Sequence, residues 1–483
     1  MLPVYRYLIG IFLGLGILVT GTLSLSAQTQ QEKDKDESAE PVEDPIVTIL
    51  RQRVDAYRQT VGIVVGEIRG TRRTVYARGT LNRATIRKTS GMTVFEIGPL
   101  SSLYTSALLG LMVKDGEVSL SDPVSKFLPD SVKIPEYNGQ PIRLEHLATH
   151  TSGLPSLPNN VISADLNNPL DGYSVDLLYQ FLSTYPLTYD VGTTYEYSEV
   201  GMGLLGHVLA WQAGKSYDAL IQEYISTPLK LANTGSTPTI SMKTLMATGH
   251  DRTRRPITAW SDTTLVGGNG VRSNILDMMA FISANMGIIY VMPEYTEEDS
   301  IKFQAAFEEV IRPRYAAGRP GVETALGWRA RKGARDRYTH WLSGRTRGFY
   351  SFVGFNKLSR RGVIVLSNSS VPIDDIGFHI LTPGYPLASP PKLTSTADPQ
   401  TFQAYTGTYE FSPGLTVDIM TTDGKLYGQP PGQMRSELFP ESNRDFFLQQ
   451  ENAQITFVKD AAGNITHLLF LKNGQTREAR KIR

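Results

Sequence analysis

The sequence of 483 residues contains no cysteine. Disulfides, thiol chemistry, cysteine-held metal sites and a cysteine-linked lipid anchor are therefore excluded. An excess of charge of either sign is also lacking, because 48 basic and 47 acidic residues leave a net charge of +1. This balance gives no indication of nucleic acid or of a strongly charged partner. The length is sufficient for two or three domains with a substantial hydrophobic core.

The N-terminal residues form an uncharged apolar run. Arg6 is the only basic residue before Leu8–Val19, and Leu25-Ser26-Ala27 has the small residues of a signal-peptide cleavage site. The longer uncharged stretch Tyr7–Ala27 is just long enough to remain as a membrane anchor. The sequence therefore predicts export, with residues 1–27 acting as a signal peptide or as an anchor. Residues 28–45 are acidic and polar, and we expect a disordered linker there.

A buried helix is predicted after Gly98. The apolar run Phe95–Ile97 ends at this glycine, and apolar residues at helical spacing follow from Pro99, which suits a first helical turn because no N–H is needed there. Asp115-Gly116 is a typical helix end, since glycine adopts the left-handed conformation easily. We therefore expect a helix from Pro99 to Asp115 with one buried face.

Two long stretches resemble a known family. Phe95–Pro129 reads FEIGPLSSLYTSALLGLMVKDGEVSLSDPVSKFLP, and Leu144–Pro155 reads LEHLATHTSGLP. They resemble the serine β-lactamases and penicillin-binding proteins, in particular the class C and esterase-like branch. The resemblance implies an α+β fold over residues 46–385, in which both ends of the domain form an antiparallel sheet and a helical lobe is inserted between them.

The hydrophobic patterns agree with this architecture. Strand-like runs at 61–70 and 74–79 predict a first hairpin, and further strand patterns occur at 326–331, 338–343, 349–356 and 362–368. Between them, residues 173–183 and 202–213 have helical spacing. Gly214 is interpreted as a helix C-cap and not as part of a phosphate-binding loop.

The resemblance places the first catalytic motif of the family, Ser-x-x-Lys, at Pro99 and Ser102. In the family the serine attacks a carbonyl group and the lysine, one turn later, helps to remove its proton. Proline has neither a hydroxyl group nor a backbone N–H, so the nucleophile and one oxyanion donor are both missing. The only Ser-x-x-Lys of the chain is Ser389–Lys392, in a proline-rich stretch that cannot start such a helix.

The second and third motifs are altered as well. The Tyr-x-Asn motif aligns with Tyr197 and Glu199, and the Lys-Thr-Gly motif aligns with Leu342 and Gly344. An amide is thus replaced by a carboxylate, and a basic residue by leucine. We expect no catalytic residue. We expect Glu199 to form an ion pair with Arg345 or Arg347. The candidate ligand-binding residues are Tyr197, Glu199, Ser343, Gly344, Arg345 and Arg347.

Three further features have alternative interpretations. His146 and His150 are spaced for zinc on one helix face, but no third ligand is evident, so we expect a structural corner, no metal and no cofactor. Ser152 is either an alternative nucleophile or a turn hydroxyl beside Gly153. A basic cluster is either an anion-binding surface or a solvated edge strand. Its members are Arg329, Arg331, Lys332, Arg335, Arg337, Arg345 and Arg347.

The C-terminal region predicts a small all-β domain over residues 401–483, after a linker at 386–400. Its opening, Tyr405-Thr406-Gly407-Thr408-Tyr409, resembles that of the lipocalin-like barrel found in related hydrolases. Strand-like runs occur at 407–411, 415–420, 425–429, 453–459, 465–472 and 476–482. Asp423-Gly424, Gly463-Asn464 and Asn473-Gly474 are the hairpin signals between them.

Two functional hypotheses follow. The first is a catalytically inactive, exported protein that binds or scaffolds, with a peptidoglycan-type peptide or a protein as its partner. It would contact no nucleic acid, and a membrane only through the N-terminal segment. The second is a serine hydrolase (esterase, peptidase or β-lactamase-like) with residual or unconventional activity at Ser152 or Tyr197. The simultaneous change of all three motifs favours the first.

Overall fold

The computed structural model describes residues 43–163, 168–261, 263–288, 295–334, 337–388, 398–431, 435–448, 453–472 and 475–483. Outside these residues lie the predicted signal peptide or anchor, most of both predicted linkers, Arg335, Ser389–Lys392 and the predicted turn at Asn473-Gly474. Within the described part, no helix is long and apolar enough to cross a membrane.

An antiparallel sheet of eight strands forms the centre of the first domain. The ten described strands of this domain are β1 Gly62–Arg69, β2 Arg72–Gly79, β3 Val94–Glu96, β4 Arg272–Asn274, β5 Tyr315–Ala316, β6 Val322–Thr324, β7 Arg329–Lys332, β8 Tyr338–Arg345, β9 Tyr350–Asn356 and β10 Arg361–Ser367. Their order in the sheet is β2-β1-β10-β9-β8-β7-β6-β5, and β3 and β4 form a separate pair. Strand β1 pairs with β10, so both ends of the domain form one sheet, as predicted.

The two faces of the sheet contact different groups of helices. The helices are α1 Pro45–Arg51, α2 Ser101–Lys114, α3 Leu144–Ala148, α4 Val175–Thr184, α5 Glu199–Ala213, α6 Tyr217–Ile221, α7 Thr227–Leu229, α8 Ile240–Leu245, α9 Val266–Asn269, α10 Ile275–Asn285, α11 Glu297–Ile311 and α12 Asp374–Leu381. Val64 of β1 belongs to the core shared with α2 and α5, whereas Val65 belongs to the core shared with α1 and α12. This alternation explains why β1 is apolar on both faces.

Helix α2 is the predicted central helix, but its burial differs from the prediction. A short 3₁₀ turn, Gly98–Leu100, precedes it, and every residue from Ser101 to Met112 is buried. The expectation of one buried face is therefore wrong, because the sheet and the helical lobe enclose the helix on all sides. The predicted glycine end is confirmed, since Gly116 has a φ of +75° and the N–H of Glu117 donates to the carbonyl of Met112 at 3.0 Å.

The second domain is a closed barrel of eight antiparallel strands. The strands are β11 Gly407–Ser412, β12 Leu415–Thr422, β13 Lys425–Gln429, β14 Ser436–Pro440, β15 Asp445–Leu448, β16 Ala453–Lys459, β17 Ile465–Lys472 and β18 Gln475–Lys481. The six predicted runs are confirmed, whereas β14 and β15 were not predicted. Both are short, and they are the strands that close the barrel between β13 and β16.

Candidate functional site

The nucleophile position of the family is buried against the sheet. Pro99 lies in the 3₁₀ turn before α2, and it is buried together with Gly98 and Leu100. Strand β8 packs directly on it, because a Cβ atom added to Gly344 would lie only 2.7 Å from the Cδ of Pro99. The ring of Pro99 therefore occupies the space between the helix start and the strand.

The lysine position is also part of the core. Ser102 is fully buried, and its hydroxyl group donates to the carbonyl of Pro99 at 2.7 Å. The neighbouring Ser101 hydroxyl donates to the carbonyl of Gly98 at 2.7 Å and accepts from the N–H of Val271 at 2.9 Å. Both hydroxyl groups are used in backbone contacts, so neither is placed as a nucleophile.

Tyr197 lies beside the ring of His150, with the two ring centres 4.8 Å apart. Burial raises the pKa of the Tyr197 phenol well above its usual value, and the charge of Glu199 raises it further, against the opposing effect of Arg329. A tyrosine acts as a general base only as its phenolate. The phenol of Tyr197 therefore stays protonated near neutral pH.

Arg329 is the cation whose charge opposes the rise in the pKa of Tyr197. It begins β7, and its charge acts on both Tyr197 and His150. In the sequence, Arg329 is distinguished only as one member of the basic cluster. No motif points to it, because it approaches Tyr197 through the fold and not through the sequence.

The corner at His150 holds the loop before α5. His150 has a φ of +57°, and its Nδ1 accepts from the N–H of Ser198 at 3.2 Å. The hydroxyl group of Ser198 accepts from the N–H of Gly201 at 2.8 Å and so caps α5. Burial, helped by the charge of Arg329, lowers the pKa of His150 to about 3. His150 therefore has a structural role as a neutral acceptor.

Two other residues of this corner also have local partners. The Nδ1 of His146 accepts from the N–H of Arg143 at 3.1 Å, at the start of α3. Ser152 is buried, and its hydroxyl oxygen accepts from the N–H of Leu154 at 3.3 Å. The interpretation of Ser152 as a turn hydroxyl is confirmed. In the described residues, no three histidine or carboxylate side chains form a group that could hold a metal ion.

Strand β8 separates the residues of the third motif. Leu342 belongs to the core around α2, and Gly344 meets Pro99 on the same face. Ser343 and Arg345 alternate to the other face, where both oppose the rise in the pKa of Tyr350 that burial causes and where Ser343 does the same for Asp374. The structure thus places Gly344 against Pro99, which also accepts a bond from Ser102, and Leu342 lies on the same face of β8 as Gly344. It does not bring Ser343 and Arg345 to them, and their binding of a ligand stays a prediction.

The remaining candidate residues lie in different surroundings. Glu199 is the first residue of α5 and is half-buried. Arg347 lines a cavity of about 220 Å³ together with Glu96, Trp260 and Thr346. The predicted ion pair of Glu199 with Arg345 or Arg347 stays a prediction.

The basic cluster is not an edge strand. Strand β7, which contains Arg329 and Arg331, pairs with β6 on one side and with β8 on the other. The guanidinium of Arg331 lies 5.6 Å from the ring centre of Trp341 on β8. The edge-strand interpretation is wrong, because β5 and β6 extend the sheet beyond β7.

The fold and the aligned motif positions define a protein of the β-lactamase class. A family model described as Beta-lactamase matches residues 50–379, which is more than half of the chain. The chain therefore belongs to the β-lactamase family, whose members include serine β-lactamases and D-alanine carboxypeptidases. A second model, described as a domain of unknown function (DUF3471), matches residues 391–479.

Two curated relatives show the range of similarity. The chain is 34% identical over 191 residues to the D-alanyl-D-alanine-carboxypeptidase/endopeptidase AmpH of Escherichia coli K12, a match that covers 39% of this chain. This match spans 48% of that relative, about half of its length. The chain is 22% identical over 367 residues to a β-lactamase of Pseudomonas fluorescens, covering 68% of this chain and 94% of the relative.

Solved structures show the same fold. A class C β-lactamase from Rhodobacter sphaeroides superposes with a TM-score of 0.58 at 24% identity, covering 68% of this chain and 95% of that one. A β-lactamase/D-alanine carboxypeptidase from Pseudomonas syringae superposes with a TM-score of 0.59 at 20% identity, covering 71% and 99%. At this level of identity the similarity establishes the fold alone.

Proposed function

We propose that this protein is a non-catalytic member of the β-lactamase family that acts by binding in the cell envelope. The observation that supports the proposal most strongly is Pro99, which stands at the nucleophile position without a hydroxyl group and fills the space against Gly344. Acyl transfer through this fold needs an attacking oxygen and a group that removes its proton. Pro99 supplies no such oxygen, and the hydroxyl group of Ser102, which donates to the carbonyl of Pro99, is not a base that could remove a proton.

The alternative, an unconventional hydrolase, has less support. Ser152 is buried in a turn, and the pKa of Tyr197 is raised and not lowered. Neither residue is an activated nucleophile or a base. We therefore propose a binding function without a catalysed reaction.

A ligand class is suggested by what the relatives are named for. One is a D-alanyl-D-alanine-carboxypeptidase/endopeptidase, so a peptidoglycan-type peptide is the ligand that we propose, with a protein partner as the alternative. Glu199 places a carboxylate where the family presents an amide, which disfavours a ligand with a carboxylate at that point. A peptide without a free carboxylate there is the better candidate.

Labelling by a fluorescent penicillin tests the proposal. We expect no labelled band and no nitrocefin hydrolysis above the rate in buffer, because Pro99 stands at the nucleophile position and the hydroxyl groups of Ser101 and Ser102 bond to the backbone. The β-lactamase of Pseudomonas fluorescens, assayed with nitrocefin in the same experiment, is the positive control for hydrolysis. A band that disappears after competition with unlabelled penicillin would contradict the proposal.

Export is part of the same proposal. The apolar run Leu8–Val19 and the small residues up to Ala27 support it. We expect cell fractionation to recover the protein from the periplasm, the medium or the outer face of the membrane. Recovery of the full-length chain from the cytoplasm would contradict this part of the proposal.

A further inference from the structure

A second cavity lies between the two domains, on the face of the sheet opposite to Pro99. Its volume is about 320 Å³. One wall comes from the first domain, through the turn after α1, the start of α12 and Arg252. The other comes from the barrel, through Glu441, Phe447, Ala453 and Gln454. Boundaries between domains are common positions for small-molecule sites, and this volume is within their usual range.

Arg252 is a buried cation on one side of this cavity. Its side chain is 8% exposed, and one guanidinium N–H donates to the carbonyl of Leu448 at 3.0 Å across the domain boundary. The Nε has no hydrogen-bond partner among the described residues. Burial, together with the nearby charge of Arg345, lowers the pKa of Arg252 only to about 10, so it remains charged.

Glu441 is a buried carboxyl group on the other side. It is 7% exposed, and its hydrogen-bond partner is the amide of Gln454, at 3.4 Å and 3.5 Å from the two oxygens. Burial raises its pKa to about 7, against the lowering effect of Arg252. The charge of Arg252 therefore acts on Glu441. Among the described residues, however, neither belongs to an ion pair within 4.0 Å.

The other charged groups of the cavity already have partners. Arg53 forms an ion pair with Asp375 and donates to Gln59 at 3.0 Å. Asp374 accepts from the hydroxyl group of Tyr350 at 2.5 Å. Asp374 thus has a neutral partner, a hydroxyl group, and Arg252 and Glu441, on opposite walls, likewise have no opposite charge in contact. Burial of an unpaired charge is unfavourable, so this cavity favours a ligand that supplies both counter-charges.

We propose that this cavity binds a free α-amino acid with an apolar side chain, with its carboxylate on Arg252 and its ammonium group on Glu441. A zwitterion of this kind presents both counter-charges on neighbouring atoms. The remaining lining supports the apolar side chain, because Val371, Pro372, Phe447 and Ala453 provide hydrocarbon surface. The cavity is separate from Pro99, so the test of amino-acid binding does not depend on the proposed loss of catalysis.

Calorimetric titration of the full chain with L-leucine and D-leucine at pH 8 tests this proposal. At this pH Glu441 is largely ionised. We expect one binding site for at least one enantiomer. We expect binding at least about tenfold weaker for 4-methylpentanoate, which lacks the ammonium group, and for 3-methylbutylamine, which lacks the carboxylate; tenfold is a modest value for a lost charge-assisted hydrogen bond.

Two variants assign the charges. Glu441→Gln keeps the shape of the side chain. We expect this variant to bind leucine no more tightly than the unaltered protein binds 4-methylpentanoate. Arg252→Met should in the same way lower the affinity for leucine to the affinity that the unaltered protein has for 3-methylbutylamine. Glu478→Gln, on the exposed side of β18, is the matched control and should bind leucine like the unaltered protein.

The outcomes separate clearly. Arg252 also bonds to the barrel, so Arg252→Met can weaken the domain contact itself, and Glu441→Gln is therefore the decisive variant. No heat from either leucine enantiomer would overturn the proposal. Equal affinity for leucine and its two analogues, or unchanged binding of leucine in Glu441→Gln, would overturn it as well.

Discussion

Ser102→Lys is expected to destabilise the protein by about 3–5 kcal/mol, the range typical of an uncompensated buried charge. The substitution restores the residue type that the family has at this position. Here, however, Ser102 is fully buried and its hydroxyl group bonds to the backbone of Pro99. The added lysine would have to bury its ammonium group or displace the core around it. Urea unfolding at pH 7 measures the loss.

The pH dependence distinguishes charge from volume in this experiment. A buried lysine has a pKa below its unfolded value of about 10.4, so the unfolded state binds more protons between the two values. The stability of Ser102→Lys should therefore rise as the pH is raised from 7 towards 10, relative to the unaltered protein. Ser102→Met adds similar length without charge and should show no such rise. Unchanged unfolding of Ser102→Lys would show that position 102 is open and not part of the core.

Restoring the whole first motif should not restore activity. The double variant Pro99→Ser, Ser102→Lys still has Leu342 in place of the basic third-motif residue and Glu199 in place of the amide. We expect no nitrocefin hydrolysis from it.

His150 is expected to make the protein sensitive to acid. Its folded pKa of about 3 lies below the unfolded value of about 6.5, so the unfolded state binds the extra proton. The stabilisation is therefore complete above pH 6.5 and is lost as the pH falls towards 3. One proton corresponds to about 1.4 kcal/mol per pH unit, which gives roughly 2 kcal/mol between pH 7 and pH 5.

His150→Asn tests this contribution with little change of geometry. Asparagine tolerates the positive φ at this position, and its side-chain oxygen can accept from the N–H of Ser198. We expect the free energy of unfolding of the variant to fall less between pH 7 and pH 5, by roughly 2 kcal/mol. His467→Asn, on the partly exposed strand β17, is the control. The same loss in His150→Asn as in the unaltered protein would contradict the assignment.

The sequence predicted the fold well because local signals agreed with the family pattern. The hairpin β1–β2, the glycine ends at Gly116 and Gly214, and the six barrel runs all depend on turn chemistry and on hydrophobic spacing. Strands β14 and β15 have four or five residues each, too few for a clear alternation. Burial of α2 on every side depends on the packing of distant elements, which the spacing of its own residues does not show.

The candidate site was predicted in part. The motif positions Pro99, Ser102 and Gly344 are adjacent in the structure. Ser343 and Arg345 point to the other face of β8, which a strict period of two from Leu342 would have shown. Arg329, Arg252 and Glu441 have no sequence signal, because each meets its neighbours through contacts between segments far apart in the chain.

The central proposal is that this protein forms no acyl-enzyme. The most direct test is the intact mass of the purified protein after prolonged incubation with excess benzylpenicillin. We predict a single mass equal to that of the untreated protein. A stoichiometric increase by the mass of the penicillin, at any serine, would contradict the account.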